Sequence, residues 1–281
     1  MPNGSEVRRD DVLITVDADG EDGWQFSVTS PDGAVTLELG PGLPPIGDGA
    51  VRLFTGTSGD LSAEIRNTGF HGVPLRELTD LRYWTYSTQN NGQQWPYIIL
   101  QIDRDGNGSV DDLLFFEPGY QTPGSGNPSL PDQGLPVLNT WQDWNALVGG
   151  WWSLNGVGGL NPGDQVGPLS QYLAVEPDAT IVNSASGLGG VRVVQGFASP
   201  EDVFNGYVDA FSIQTRDAGI TTTFNFEPFQ SPPAPPGPRP GRFSLSQTGG
   251  SRPLFTCEGL LPSSRRSRPF IVPGGFIDAR R

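Results

Sequence analysis

Between residues 11 and 226 the chain is cut into short apolar or alternating runs, each closed by glycine, proline, asparagine or aspartate. They read DVLITV (11–16), WQFSV (24–28), AVTLEL (34–39), AVRLF (50–54), LSAEI (61–65), LRYWTYS (81–87) and WPYIILQI (95–102). DLLFF (112–116), TWQDW (140–144), GGWWSL (149–154), TIVNS (180–184), VRVVQGF (191–197), GYVDAFSI (206–213) and TTTFNF (221–226) complete the series. Such runs have the length and composition of β-strands, and the punctuation between them supplies the turns. Glycine (39) and proline (27) make up nearly a quarter of the 281 residues, which long helices would not tolerate.

The expected fold is therefore all-β, a two-sheet antiparallel jelly-roll or β-sandwich spanning residues 11–229. One short helix is predicted, in GPLSQYLAVEPDA, with Leu169, Tyr172 and Leu173 on one face and Pro177 as its stop. No fixed-period repeat of the propeller or solenoid kind is present. Residues 1–10 are expected to be flexible. Charge changes sign near residue 230: nine arginines face 29 acids before residue 231, and eight arginines face two acids after it. The segment 230–281, opening with SPPAPPGPRPGR, is expected to be a disordered Pro/Arg/Ser-rich tail. It reads either as a linker to a wall-binding or partner-binding tail or as a non-essential extension.

The formal charge of −14 is the wrong sign for a nucleic-acid-binding face and fits solubility or cation binding. Lysine is absent, so no Walker-type phosphate loop exists. One cysteine, Cys257, excludes an intramolecular disulfide, and one histidine, His71, excludes sites that need two imidazoles. No apolar stretch reaches the length of a membrane span. The opening MPNGSEVRRDDVLITV has no long apolar segment of the secretory type.

The strongest chemical signal is QIDRDGNGSVDD (101–112), wedged between apolar runs. Asp103, Asp105, Asn107, Ser109 and Asp111 fall at alternate positions, with Gly106 and Gly108 between them. Calcium takes several hard oxygen ligands, and a tight loop with a glycine at its sharpest point can aim them inward. No bidentate glutamate stands at the twelfth position, which is Leu114, and strands rather than helices flank the loop. The expectation is Ca²⁺ held by Asp103, Asp105, Asn107 and Asp111, with the carbonyl of Ser109 and with Asp112 or water completing the shell. The competing reading is a solvated acidic turn. DADGEDG (17–23) reads as a surface turn, and Asp209, alone in an apolar strand, as a buried hydrogen-bonded group or part of a second cation site.

Seven tryptophans suit a surface that stacks on sugar rings, if they are not all core. YWTYSTQNNGQQW (83–95) and NTWQDWN (139–145) place rings beside side-chain amides, so Trp84, Tyr86, Asn91, Gln93, Trp95 and Trp144 are the candidate ligand-binding residues. Trp24 and one of Trp151 and Trp152 are expected in the core.

GPGLPPIGDGAVRL, LRYWTYST, ILQIDRDGNGSVDDLLFFEP, TWQDWNALVGGWW, LSQYLAVEPDATI, GYVDAFSI and TTTFNFEP, in this order, resemble a family of largely uncharacterised bacterial extracellular β-sandwich modules. These are similar in outline to carbohydrate-binding modules and concanavalin A-like lectins. The resemblance covers about residues 20–228. It implies secretion to the cell surface or beyond, a calcium loop, and binding of a glycan or surface polysaccharide. Such export would use a leader absent from this chain or another route. Around His71, NTGFHGVPL carries no nucleophile pattern, and no E-x-D-x-x-E strand is present. The expectation is a non-catalytic, lectin-like module. A structural or adhesive module is the alternative, and a carbohydrate-active enzyme would need two carboxylates facing one groove.

Overall fold

The computed structural model describes residues 11–229. The expected flexible N-terminus and the expected tail, with Cys257, lie outside the described residues. Within them each of the fourteen runs contains a strand, and two seven-stranded sheets result.

The first sheet holds β1 (Val12–Val16), β3 (Ala34–Leu39), β4 (Gly49–Phe54), β6 (Leu78–Gln89), β9 (Gln142–Asn145), β13 (Asn205–Thr215) and β14 (Thr222–Phe226). The second holds β2 (Trp24–Val28), β5 (Ser62–Asn67), β7 (Tyr97–Asp103), β8 (Asp112–Phe116), β10 (Trp151–Ser153), β11 (Thr180–Ile181) and β12 (Val191–Gly196). Pairing is antiparallel with one exception, β1 beside β14, which runs parallel. The expected helix forms but is short, α1 (Leu169–Leu173), and buries Leu169 and Tyr172. No helix among the described residues is long and apolar enough to cross a membrane.

The sheets pack face to face through aromatic rings. Trp24 of the second sheet meets Phe211, Phe224 and Phe226 of the first edge-on, with centroids 5.2, 5.4 and 5.2 Å away. Tyr83 and Phe116 repeat the contact at 6.1 Å. Alternation does the sorting. In β6, Leu81, Tyr83, Thr85 and Ser87 are buried, while Arg82, Trp84 and Tyr86 face outward, as expected of that strand. In the second sheet Ile98, Leu100, Ile102, Leu114, Phe116, Val191, Val193 and Trp151 join the same core. As expected, Trp24 and one member of the 151–152 pair are core residues.

Asp209 is fully buried in β13, beside a bulge where Ala210 takes φ 49°. Its carboxylate accepts the amides of Phe226 (3.1 Å) and Ile46 (3.2 Å), tying β13 to the end of β14 and to the 40–48 loop. Burial raises its pKa to about 7 despite these bonds. A folded-state pKa above the unfolded value adds stability that is complete below about pH 4 and lost as the pH rises through 7. The shift from 3.8 to about 7 corresponds to at most about 4 kcal/mol. Asp209→Asn should flatten the decline in unfolding free energy between pH 4 and 7, read by urea denaturation. An unchanged slope would contradict this account of Asp209.

Candidate functional site

Two features stand out, and both grow from the β7–β8 hairpin. The first is its tip. The amide of Asp111 donates to the Ile102 carbonyl at 2.7 Å and closes the hairpin around residues 103–111. Gly106 (φ 76°) and Gly108 (φ 79°) take the left-handed conformation, and a Cβ on either would touch nothing. Their requirement is therefore conformational rather than steric. Asp103 Oδ1 accepts the amides of Asp105 (3.2 Å) and Gly106 (2.8 Å), and its Oδ2 accepts that of Gly108 (2.8 Å). Asp105 accepts the Asn107 amide (3.1 Å), Asn107 the Ser109 amide (2.7 Å), and Asp111 the Arg104 amide (2.8 Å).

These bonds curl the chain inward. Carboxylate oxygens of Asp103, Asp105 and Asp111 lie within 4.8 Å of one another. Burial pushes the Asp103 carboxyl up, but the amides of Gly108, Gly106, Asn107 and Asp105 outweigh it and hold the group below the usual carboxylate range. Three hard anionic oxygens at that separation suit a cation with oxygen preference. Asn107 is joined to them through its turn, and both Asn107 and Ser109 are exposed.

Asp112 corrects the expected ligand set. It is buried, and its Oδ2 accepts Ser153 Oγ (2.6 Å) and the Tyr172 hydroxyl (3.1 Å). Its Oδ1 accepts the Leu113 amide (2.8 Å) and Asn155 through backbone and side chain (both 3.2 Å). Alternation explains this, because Asp111 and Asp112 face opposite sides where the loop becomes strand. Asp112 anchors β8 to β10 and α1 instead of facing the loop.

The second feature is a cleft on the outer face of the second sheet. Registers align one row of side chains across six strands: Gln25, Arg66, Arg192, Ile99, Phe115 and Trp152. Phe115 and Trp152 stack in parallel at 3.8 Å. Tyr97, Ile99, Phe115 and Val194 form a small apolar cluster distinct from the main core. Above it lie cavities of about 680 and 340 Å³ that share Gln94, Glu117 and Trp152. The larger is also lined by Asn91, Gln93, Trp95, Tyr120 and Asp202, the smaller by Arg192 and Phe197. Trp152 Nε1 donates to Glu117 at 2.8 Å, and burial pushes the Glu117 carboxyl up. Gln94 Oε1 and Trp95 Nε1 are buried without partners. Phe197 is 50% exposed at φ 58°, a conformation costly for a bulky side chain.

Of the six candidate ligand-binding residues, Asn91, Gln93 and Trp95 meet at this cleft. Trp144 does not: it is fully buried, with Nε1 donating to Thr85 Oγ1 at 2.8 Å. It sits on β9, opposite Tyr83 of β6, and its ring turns inward to the core. Trp84 and Tyr86 lie half-buried on the outer face of the first sheet, where Tyr86 packs on Trp141 (5.5 Å) and Tyr207 (6.2 Å). The sequence did not single out Glu117, Tyr120, Asp202, Phe197, Arg66 or Arg192. An arginine in the middle of VRVV was the one available signal, a charge on the outward phase of an otherwise apolar strand. No protein-family model, curated protein or solved structure matches the chain.

Losing the Asp112 carboxylate would leave the Ser153 and Tyr172 hydroxyls buried and unpaired. Asp112→Ala should therefore cost about 2–4 kcal/mol in urea denaturation, against about 1 kcal/mol or less for exposed Asp105→Ala. Equal losses would contradict the separation of anchor from loop.

Proposed function

We propose that this chain is a calcium-stabilised, non-catalytic module that binds a glycan, in a surface or extracellular setting, in the cleft on the outer face of its second sheet. One observation carries the reading: a single cleft brings together the Phe115–Trp152 stack, the half-exposed Phe197 ring, and the side-chain amides of Asn91, Gln93 and Gln94. Sugars offer apolar C–H faces and a fringe of hydroxyls that both donate and accept. Rings take the faces, and the side-chain amides of Gln93 and Gln94 along the cleft wall take the hydroxyls. Calcium, bound by Asp103, Asp105, Asn107 and Asp111, pins the tip of the hairpin whose outer face carries Tyr97, Ile99 and Phe115.

A second reading, a carbohydrate-active enzyme, is favoured by one fact: Glu117 and Asp202 line the same cleft. A carboxyl pushed up by burial and a second, half-buried carboxylate on one cleft are the kind of pair that glycoside hydrolysis uses. Asp202 is held there by the Asn91 side-chain amide (2.9 Å).

The test is affinity electrophoresis of the full chain on soluble β-glucan, xylan, mannan and polygalacturonate, in calcium and in EDTA, with reducing-end release measured alongside. Retardation on at least one polymer is expected, weakened in EDTA and cut about two- to tenfold by Phe197→Ala, because one stacked ring is worth about 0.5–1.5 kcal/mol. Release of reducing ends abolished by Glu117→Gln would establish the enzyme reading. No retardation on any polymer would leave the structural-module reading.

A further inference from the structure

The polar half of the row beneath the cleft is unusual in its charge. Arg66 and Arg192 are directly opposite each other on β5 and β12. Like charges in that position repel, and both side chains are more than nine-tenths buried, at 6% and 8% exposure. One carboxylate stands between them. Glu64 Oε2 accepts Arg192 Nε (2.7 Å) and Nη2 (2.6 Å), and lies 4.0 Å from Arg66 Nε. Glu64 is therefore spent on Arg192. Arg66 Nε is buried with no hydrogen-bond partner, and Gln101 Oε1, diagonal to Arg192 in the ladder, is also without one.

The other charged group facing the smaller cavity is Glu117, which is bound to Trp152 and forms no ion pair with Arg192. Two guanidiniums thus share one carboxylate, in a segment where acids outnumber arginines 29 to nine. Burial and the neighbouring Arg192 charge depress the Arg66 pKa, only partly relieved by Glu64, so the folded protein holds this cation at a cost. Arg192 lines the smaller cavity and Arg66 stands directly opposite it on the neighbouring strand, so the excess positive charge lies beside the cavity and calls for an anion.

Building on the glycan reading, we infer that the bound glycan is acidic: a carboxylate on a uronic acid residue docks against the Arg66–Arg192 pair while the sugar ring stacks toward Phe115 and Trp152. A guanidinium fork matches a carboxylate in geometry as well as charge. The row order from β5 to β10, two arginines, then Ile99, then two stacked rings, sets the charged and apolar subsites side by side across the strands. Strand spacing of about 4.8 Å places the second arginine roughly 10 Å from the first stacked ring, about the reach of two sugar units.

The test is titration calorimetry of the full chain, in calcium, with short oligogalacturonides, with the same oligomers fully methyl-esterified, and with neutral xylo- and gluco-oligosaccharides of equal length. Wild type should bind the acid at least about tenfold more tightly than its ester, the scale of one charge-assisted hydrogen bond. Arg66→Gln should erase that preference without weakening the ester. Removing Arg66 breaks no hydrogen bond seen here; should it unfold the chain, Arg192→Gln takes its place, because it frees Glu64 to pair with Arg66 and should lose the preference likewise. Equal affinity for acid and ester, or tighter binding of neutral sugars untouched by Arg66→Gln, overturns the acidic ligand and leaves the glycan reading standing. No binding to any oligomer overturns both.

Discussion

The alternation of side chains along the β7–β8 hairpin is the constraint on which the rest of the molecule depends. On β7 the even residues Ile98, Leu100 and Ile102 enter the main core, and the odd residues Tyr97 and Ile99 build the floor of the cleft. On β8 Leu114 and Phe116 go in, and Phe115 faces out. A one-residue slip would exchange the two sets and destroy core and cleft together. What fixes the register is the hydrogen-bonded tip, closed from Ile102 to Asp111, and the buried Asp112 anchor just behind it. Core, cleft and acidic loop are three uses of one hairpin.

Polar groups are buried at each place where this arrangement matters, and each is handled differently. Asp103 is supplied with amides and held in its ionised form. Asp209 receives two amides, yet its burial prevails, so it sits near neutrality in titration. Asp112 is shared among hydroxyls and an asparagine. The Glu64–Arg66–Arg192 group is left one charge out of balance. Asp209 and Asp112 tie strands together, and Asp103 shapes the acidic loop, all through partners within the domain. In the fourth, Arg66 Nε has no hydrogen-bond partner among the described residues, and that difference is what motivates the proposed acidic ligand.

The fold was legible because strand patterning is local. WQFSV, AVTLEL and TTTFNF each declare a strand through period and punctuation, and the helix signal at Leu169, Tyr172 and Leu173 placed α1 despite its brevity. The convergence of Asp103, Asp105 and Asp111 was legible for the same reason, since the alternate acids and the glycines lie within nine residues. Asp112 was misassigned because nothing local distinguishes it from Asp111; its partners Ser153 and Tyr172 are 41 and 60 residues away. Trp144 was misassigned because its exposure depends on how β9 lies against β6. Of the cleft, the wall residues Asn91, Gln93 and Trp95 were legible in one local run, but its floor was not. Its floor is a row drawn from six strands, and only the sheet order brings Arg66, Arg192, Phe115 and Trp152 into line. The parallel pairing of β1 with β14 was likewise a matter of topology, invisible in either run.

The proposal stands or falls on whether a cation at the hairpin tip stiffens the surface behind it. Amide hydrogen exchange of the full chain, followed by mass spectrometry in calcium and in EDTA, measures this without any knowledge of the glycan. Calcium should slow exchange in peptides covering residues 97–116 and in β10, while β3 and β4 at the far edge of the first sheet stay unchanged. Identical exchange in the two buffers would contradict it, leaving residues 103–111 as a self-contained turn.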